Sequence, residues 1–251
     1  MRRLDMLSLD VRLRRAGRED VARLVLVRGG ADAADARTGE SLHPREAAEA
    51  AAMGSPAARM HFSLGRFAAK AALAALRPGL QTHETEIARG VFGQPVVLSP
   101  QAGGLAVSIS HCAGLSAALA FPLGHPLGID LEAIDAVEAD AARAFVAQHE
   151  LAPNLTEQEA RARAWSTKES LGKILGCGLA APASVLEIAG SREGADAGAP
   201  GARWAGRFRT HDQYAFFTLR AGERVFAMAH PARTQVEMDE LRLTSFIAGD
   251  V

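Results

Sequence analysis

A chain of 251 residues with 48% hydrophobic side chains can bury one large core or two of ordinary size, and a formal net charge of −1 gives no field for nucleic acid or an anionic membrane. Only Cys112 and Cys177 occur, outside any Cys-x-x-Cys or Cys/His cluster, which argues against a disulfide framework and a structural zinc site. No apolar run reaches the length of a membrane span and no secretory-type segment opens the chain, so a reducing, cytoplasmic setting is expected.

The early basic residues Arg2, Arg3, Arg12, Arg14, Arg15 and Arg18 are interrupted by Asp5, Asp10, Glu19 and Asp20, which reads as a solvated edge. Met6 to Leu13 alternates and predicts a half-buried strand; the Gly-, Ala- and Asp-rich stretch from Arg28 to Glu40 predicts a loop. A helix is expected from His43-Pro44, with proline at its first position, and a second from Phe62 to Leu76, stopped by Pro78-Gly79. Val96–Leu98, Leu105–Ser110 and Leu115–Phe121 read as strands, the last two joined by a turn at His111-Cys112-Ala113-Gly114. Leu127–Glu132 is a further strand. Thr156-Glu157-Gln158-Glu159 opens a helix with a capping box, and the helix runs through Trp165 to about Leu175, where Gly176 stops it. A mobile segment is expected from Gly190 to Ala202, then a hairpin of Tyr214–Leu219 and Val225–Ala229 turning at Arg220–Glu223.

The second half repeats the first in order. Leu7–Arg12 matches Leu127–Glu132 at an offset of 120, Phe62-Ser63 with Lys70 matches Trp165-Ser166 with Lys173 at 103, and Ala113-Gly114 matches Ala221-Gly222 at 108. The expected fold is therefore α+β, with two pseudo-twofold-related halves from an internal duplication, residues 1–122 and 123–251. Each half would be a small antiparallel sheet on a long helix, with a ligand cleft between them. Both sides of the cleft lie in one chain, so a monomer is expected. Glu132 and Glu169 match Arg12 and Arg66 in the first half, so any metal site would be asymmetric.

Asp130 and Glu132 are two apart on a strand and share a face. Two such carboxylates are costly unless water or a cation neutralises them, and hard oxygen ligands suit Mg²⁺. Glu169 and Lys173 are four apart on a helix, the spacing of a surface ion pair, and Lys168 lies about 100° round from Glu169. Three carboxylates and two lysines on two elements are the parts for holding a divalent metal and a polyphosphate. Trp165, one turn before Glu169, reads as a core anchor. Ser110 and His111 end a strand and can both contact a phosphate. Neither a Ser/His hydrolase elbow nor a P-loop accompanies these residues.

Gly93-Gln94-Pro95, Ser108-Ile109-Ser110-His111-Cys112, Gly128-Ile129-Asp130-Leu131-Glu132 and Trp165-Ser166-Thr167-Lys168-Glu169-Ser170-Leu171-Gly172-Lys173 follow one another in that order. Together with Phe62–Lys70 they resemble the surfactin-type 4′-phosphopantetheinyl transferases, in wording nearest the enterobactin-type branch. By motif the resemblance covers roughly residues 42 to 180. One departure is Gln94, where that family usually has lysine. The resemblance implies transfer of 4′-phosphopantetheine from coenzyme A to a serine of an apo acyl- or peptidyl-carrier protein, releasing 3′,5′-ADP. It implies Asp130, Glu132 and Glu169 as Mg²⁺ ligands, with the serine proton accepted by Glu169 directly or through a metal-bound water. Lys173 would contact the pyrophosphate, supported by Lys168, while Ser110, His111, Arg66 and Arg59 would receive the 3′-phosphate. Two rivals are a degenerate member that binds coenzyme A or a carrier without catalysis, and a different Mg²⁺-dependent phosphotransferase or nucleotide hydrolase.

Overall fold

The computed structural model describes residues 4–29, 40–137, 142, 144–152, 155–193 and 203–249. Two five-stranded antiparallel sheets lie face to face, each covered on its outer side by one long helix. The first sheet runs in the order β12-β1-β2-β6-β5, with β1 Asp5–Arg15, β2 Arg18–Arg28, β5 Leu105–Cys112, β6 Leu115–Pro122 and β12 Gln235–Glu237. The second runs β7-β11-β10-β9-β8, with β7 Gly128–Ala133, β8 Ile188–Glu193, β9 Arg203–Phe208, β10 Tyr214–Ala221 and β11 Arg224–Pro231. A separate hairpin pairs β3 Glu86–Arg89 with β4 Pro95–Leu98. The described residues form four α-helices: α1 Pro44–Ala52, α2 Pro56–Leu76, α3 Glu157–Leu175 and α4 Glu240–Ala248.

Strand alternation builds this layering. Leu7, Leu9, Val11 and Leu13 of β1 and Leu24 and Leu26 of β2 point inward, against Ile129, Leu131, Phe217, Leu219, Phe226 and Met228 of the second sheet. Leu243, Phe246 and Ile247 of α4 close that inner core. The opposite faces of β2, β5 and β6 take α2 through Val25, Val27, Val107, Leu64, Ala68 and Leu73. On the second sheet, Trp204, Phe208 and Phe216 take Ala164 and Leu171 of α3, with Trp165 packed at the margin as an anchor.

Several elements differ from the sequence expectation. β2 was not anticipated, because Leu24-Val25-Leu26-Val27 is buried on both faces and shows no alternation. α2 starts at Pro56, capped by Ser55, whose hydroxyl accepts from the Ala58 amide at 3.3 Å. The loop expected over 28–40 lies largely outside the described residues. Of the segment expected to be mobile over 190–202, residues 190–193 belong to β8, and 194–202 lie outside the described residues. α3 begins and ends where expected, at the Thr156 cap and at Gly176 with φ 70°. However, Glu159 turns away from the cap to bind Arg163 and Arg220, so the capping box is only half made.

One strand pairing recurs in the two halves, in a register different from that of the sequence matches. In each half the strand leading towards the long helix pairs with the second strand of a later hairpin, β2 with β6 and β7 with β11. Counting from the hairpin turns, this sets Val25 and Val27 opposite Asp130 and Glu132, so β7 corresponds to β2 and not to β1. The turns themselves are Ala113-Gly114 and Gly222-Glu223, one residue from the expected match.

A buried ion pair repeats as well. Lys70 Nζ is 2.5 Å from Glu46 Oε2 and donates to the Ser41 carbonyl at 2.8 Å, while Glu46 accepts the amides of His43 and Ile87, both at 2.8 Å. Lys168 Nζ is 2.7 Å from Glu150 Oε2 and donates to the Phe145 carbonyl at 2.8 Å; Glu150 accepts the amides of Ala147 and Ile188, both at 2.8 Å. Lys70 thus corresponds to Lys168 and not to Lys173. On that register Ala71, not Arg66, stands where the second half has Glu169.

Candidate functional site

The edge strands β5 and β7 bring the two sheets together without a backbone ladder between them. The amides of Ile129 and Leu131 are instead satisfied by the hydroxyls of Ser108 at 3.0 Å and Ser110 at 3.1 Å. Because Ile129 and Leu131 face the inner core, Asp130 and Glu132 face the α3 side. Gly128 allows this approach: a Cβ there would stand 2.0 Å from the Ser170 carbonyl oxygen of α3.

Asp130 is the centre of the cluster and is only 3% exposed. Its Oδ1 accepts from the Ser110 hydroxyl at 2.8 Å and from Lys173 Nζ at 2.7 Å, and Lys173 also donates to the Ile129 carbonyl at 3.0 Å. Its Oδ2 is buried and has no hydrogen-bond partner, an expensive state for a carboxylate oxygen that is held in place on its other side. Burial, then Asp130 and Glu169, push the Glu132 carboxyl up to about 7. Burial and Asp130 likewise raise Glu169. Three carboxylates therefore share one desolvated region with one lysine among them.

Among the described residues no group of three or more His, Cys, Asp and Glu side chains is arranged to enclose a metal ion. The donor set nevertheless fits a hard cation that completes its shell with water or phosphate oxygens. Asp130 Oδ2 lacks a partner, and the raised Glu132 and Glu169 mark negative charge that the protein alone does not neutralise.

A chain of side chains leads away from this cluster. His111, next to Ser110, meets the ring of His61 edge-on at 4.6 Å. Gly65 makes that possible: a Cβ on it would be 3.0 Å from Ile109, so α2 lies close on β5 and His61 reaches His111 one turn away. His61 Nε2 accepts the Gly114 amide at 3.4 Å. Burial holds both imidazoles below their ordinary value, His61 and Lys173 adding to the effect on His111. Beyond His61, Arg66 and Arg89 stack on Phe62 at 4.7 and 5.8 Å, and Arg66 is also 3.7 Å from Glu46. Arg59 is half-buried and donates to the Met53 carbonyl at 3.3 Å.

Asp130, Glu132, Glu169 and Lys173 come together, as the spacing suggested, and His111 adjoins them. Two expected residues have other work. Lys168 is 1% exposed, with its ammonium committed to Glu150, Phe145 and Ala183, so it is a structural clamp and offers no donor to a phosphate. Ser110 commits its one proton to Asp130 and orients that carboxylate. Sequence reasoning missed His61 and Arg89. Neither sits in a matched motif, and only the packing of α2 and of the β3–β4 hairpin places them here.

Compared with protein-family models, residues 126–227 match the 4′-phosphopantetheinyl transferase superfamily. That stretch runs from just before β7 through α3 into β11 and holds Asp130, Glu132, Glu169 and Lys173. No curated protein matches the chain. Among the described residues no helix is long and apolar enough to cross a membrane.

Proposed function

We propose that this protein transfers 4′-phosphopantetheine from coenzyme A to a serine of an apo acyl- or peptidyl-carrier domain, releasing 3′,5′-ADP. The observation that carries the reading is the unpartnered, buried Asp130 Oδ2 beside the raised Glu132 and Glu169, inside the matched domain. Asp130, Glu132 and Glu169 would hold Mg²⁺. A bound Mg²⁺ would supply neutralisation of the pyrophosphate charge, the main requirement of phosphoryl transfer.

The chain's own residues supply the rest. Ser110 and Lys173 fix Asp130 Oδ1, so Oδ2 is aimed without reorganisation. Glu169, raised towards neutrality by burial, is suited to take the proton of the carrier serine as its oxygen bonds to the phosphorus bearing pantetheine. The bond from that phosphorus to the oxygen of the departing nucleotide breaks. Lys173, at the edge of the carboxylates, meets the pyrophosphate oxygens. His111, Arg66 and Arg59, joined by Arg89 beside Phe62, form the side that receives the 3′-phosphate.

The finer assignment is to the surfactin-type group and its enterobactin-type branch, in a cytoplasmic monomer built from a duplicated α+β unit. The repeated pairing of β2 with β6 and β7 with β11, and the repeated Lys–Glu clamp, support the duplication. The test is direct. Incubate the protein with coenzyme A, Mg²⁺ and a panel of apo-carrier domains, and weigh the carriers by mass spectrometry. At least one should gain a single phosphopantetheine. No gain on any carrier that a known transferase modifies would remove the reading.

A further inference from the structure

The end of the sandwich remote from Asp130 holds a cavity of about 840 Å³, between the β1–β2 turn, the β6–β7 connection and the ends of β9, β10 and β11. Arg15, Arg207 and Arg233 line it, against a wall of Tyr214, Pro126 and Pro231. A second cavity of about 390 Å³ shares Arg15 and Arg233 and adds Arg14 and Arg18. Leu26 of β2 stands opposite Ala117, which also pairs with Ser110 beside Asp130. Arg18 lies eight strand residues from Leu26, about 26 Å, so these cavities are separate from the carboxylate cluster.

The positive charge gathered here is not offset. Glu19 and Glu237 are both bonded to Arg14, at 3.0 and 2.8 Å, and Asp20 to His125 at 3.0 Å. Arg207 donates to the Asp212 backbone carbonyl at 3.2 Å. Arg15, Arg18 and Arg233 are exposed and make no ion pair or hydrogen bond among the described residues. Arg15 and Arg18 also stand opposite each other across the ladder, where like charges repel. His230 feels the same field: burial, joined by the charges of Arg203 and Arg207, holds it down at about 4.

The walls are set before any ligand arrives. Ala16 and Gly17 both take left-handed backbone, φ 50° and 77°, which closes the β1–β2 hairpin tightly and brings Arg15 and Arg18 side by side. His125 and Thr234, both buried, bond to each other at 3.2 Å and fix their chain neighbours Pro126 and Arg233. The Ala232 amide donates to the Gln213 carbonyl at 2.7 Å and ties the β9–β10 turn to the end of β11.

We propose that this cavity binds the phosphate chain of a small polyphosphate on Arg15, Arg207 and Arg233. Guanidinium forks match phosphate oxygens two at a time. The volume is that of a small-ligand pocket, where a protein partner would meet a flatter surface. Tyr214 and Pro126 leave an apolar wall for an organic group, so a nucleotide and an inorganic polyphosphate share the recognition. The site does not depend on the reaction assigned to Asp130.

The experiment titrates ATP and inorganic tripolyphosphate, in EDTA to keep metal from the carboxylates, into wild type, R15S/R233S, R207S and K173A by calorimetry. The ring-proton resonance of His230, assigned with H230Q, reports where the anion sits. Wild type should bind saturably and shift the His230 resonance. R15S/R233S should weaken binding at least about tenfold and R207S several-fold, while K173A stays within about twofold. R15S/R233S should unfold at the wild-type temperature, because neither side chain holds anything in the protein. Tighter binding of ATP than of tripolyphosphate would add Tyr214 as the contact for the base; equal binding would leave the phosphate chain alone as the ligand, and both support the proposal. No saturable binding of either probe overturns it, as does wild-type affinity in both arginine variants. Loss of binding in K173A alone also overturns it, by moving the polyphosphate to the carboxylate cluster. So does binding of a polyglutamate peptide but of neither phosphate probe, which would make this a surface for an acidic protein.

Discussion

The two halves share a scaffold and differ in what they place on it. Both secure the long helix with a buried lysine, Lys70 or Lys168, bonded to a glutamate that also caps two backbone amides. Both lead into that helix from a strand at the same register of the sheet. On that strand the first half has Val25 and Val27, buried against α2, and the second has Asp130 and Glu132. The scaffold is therefore independent of the chemistry. On one strand face the second half has carboxylates where the first has apolar side chains, with Glu169 and Lys173 on the facing helix, and only the second half thereby gathers a carboxylate cluster. The carboxylates carry a cost, visible in the raised Glu132 and Glu169, that a bound cation would offset.

This comparison can be broken most severely at Asp130. D130N should lower kcat/KM for carrier modification by about a thousandfold or more, because it disables the orphaned oxygen and the Lys173 pair together. Circular dichroism should show the fold retained; near-normal transfer would detach Asp130 from the reaction. The clamps should behave in the opposite way and alike in the two halves. K70M and K168M each strand a buried carboxylate and should cost about 3–5 kcal/mol in denaturant unfolding. A K168M protein of wild-type stability that has lost only coenzyme A binding would restore Lys168 as a phosphate contact.

The pH dependence separates cost from scaffold. Glu132, with its folded value near 7 and an ordinary value of 4.5, binds more protons folded than unfolded between those limits. Its contribution to stability therefore falls as pH rises through that window. Without metal, E132Q should gain thermal stability relative to wild type on going from pH 5 to pH 8, and added Mg²⁺ should shrink the difference. His230 has the other sign. Burial lowers it to about 4, so it favours the folded state above 6.5 and loses that stability as pH falls towards 4. Wild type should lose melting temperature relative to H230Q over that interval. A parallel pair of curves would contradict the assignment in either case. The smallest effect is expected at Ser108, which satisfies the Ile129 amide without touching Asp130: S108A should cost about 1–3 kcal/mol and leave kcat largely unaltered.

The half that carries Asp130 and Glu169 was the more legible in the sequence, for physical reasons. The Thr156 cap, the Gly176 stop and the two-residue spacing of Asp130 and Glu132 are local signals, and local geometry fixed where those side chains point. The register in which the two halves resemble each other was not local. The partners Lys70–Glu46 and Lys168–Glu150 are separated by different lengths of chain, so matching an aromatic, a serine and a lysine at equal spacing aligned the wrong lysine. That error set Arg66 opposite Glu169, while Lys168 read as a phosphate contact from its place beside Glu169 on the helix, where its commitment to Glu150 across 18 residues of chain is not a local signal. β2 escaped because a strand buried on both faces shows no alternation. His61 and Arg89 escaped because their place depends on how closely α2 and the β3–β4 hairpin approach β5 and Phe62.

The central claim is that the carboxylates of β7 and α3 are the reaction centre. The most direct measurement is the mass of an apo-carrier after incubation with coenzyme A and Mg²⁺, with wild type and E169Q side by side. Wild type should convert the carrier to the form bearing one phosphopantetheine, while E169Q, folded and of comparable stability, leaves it unmodified over the same time. Equal conversion by the two proteins would contradict the account.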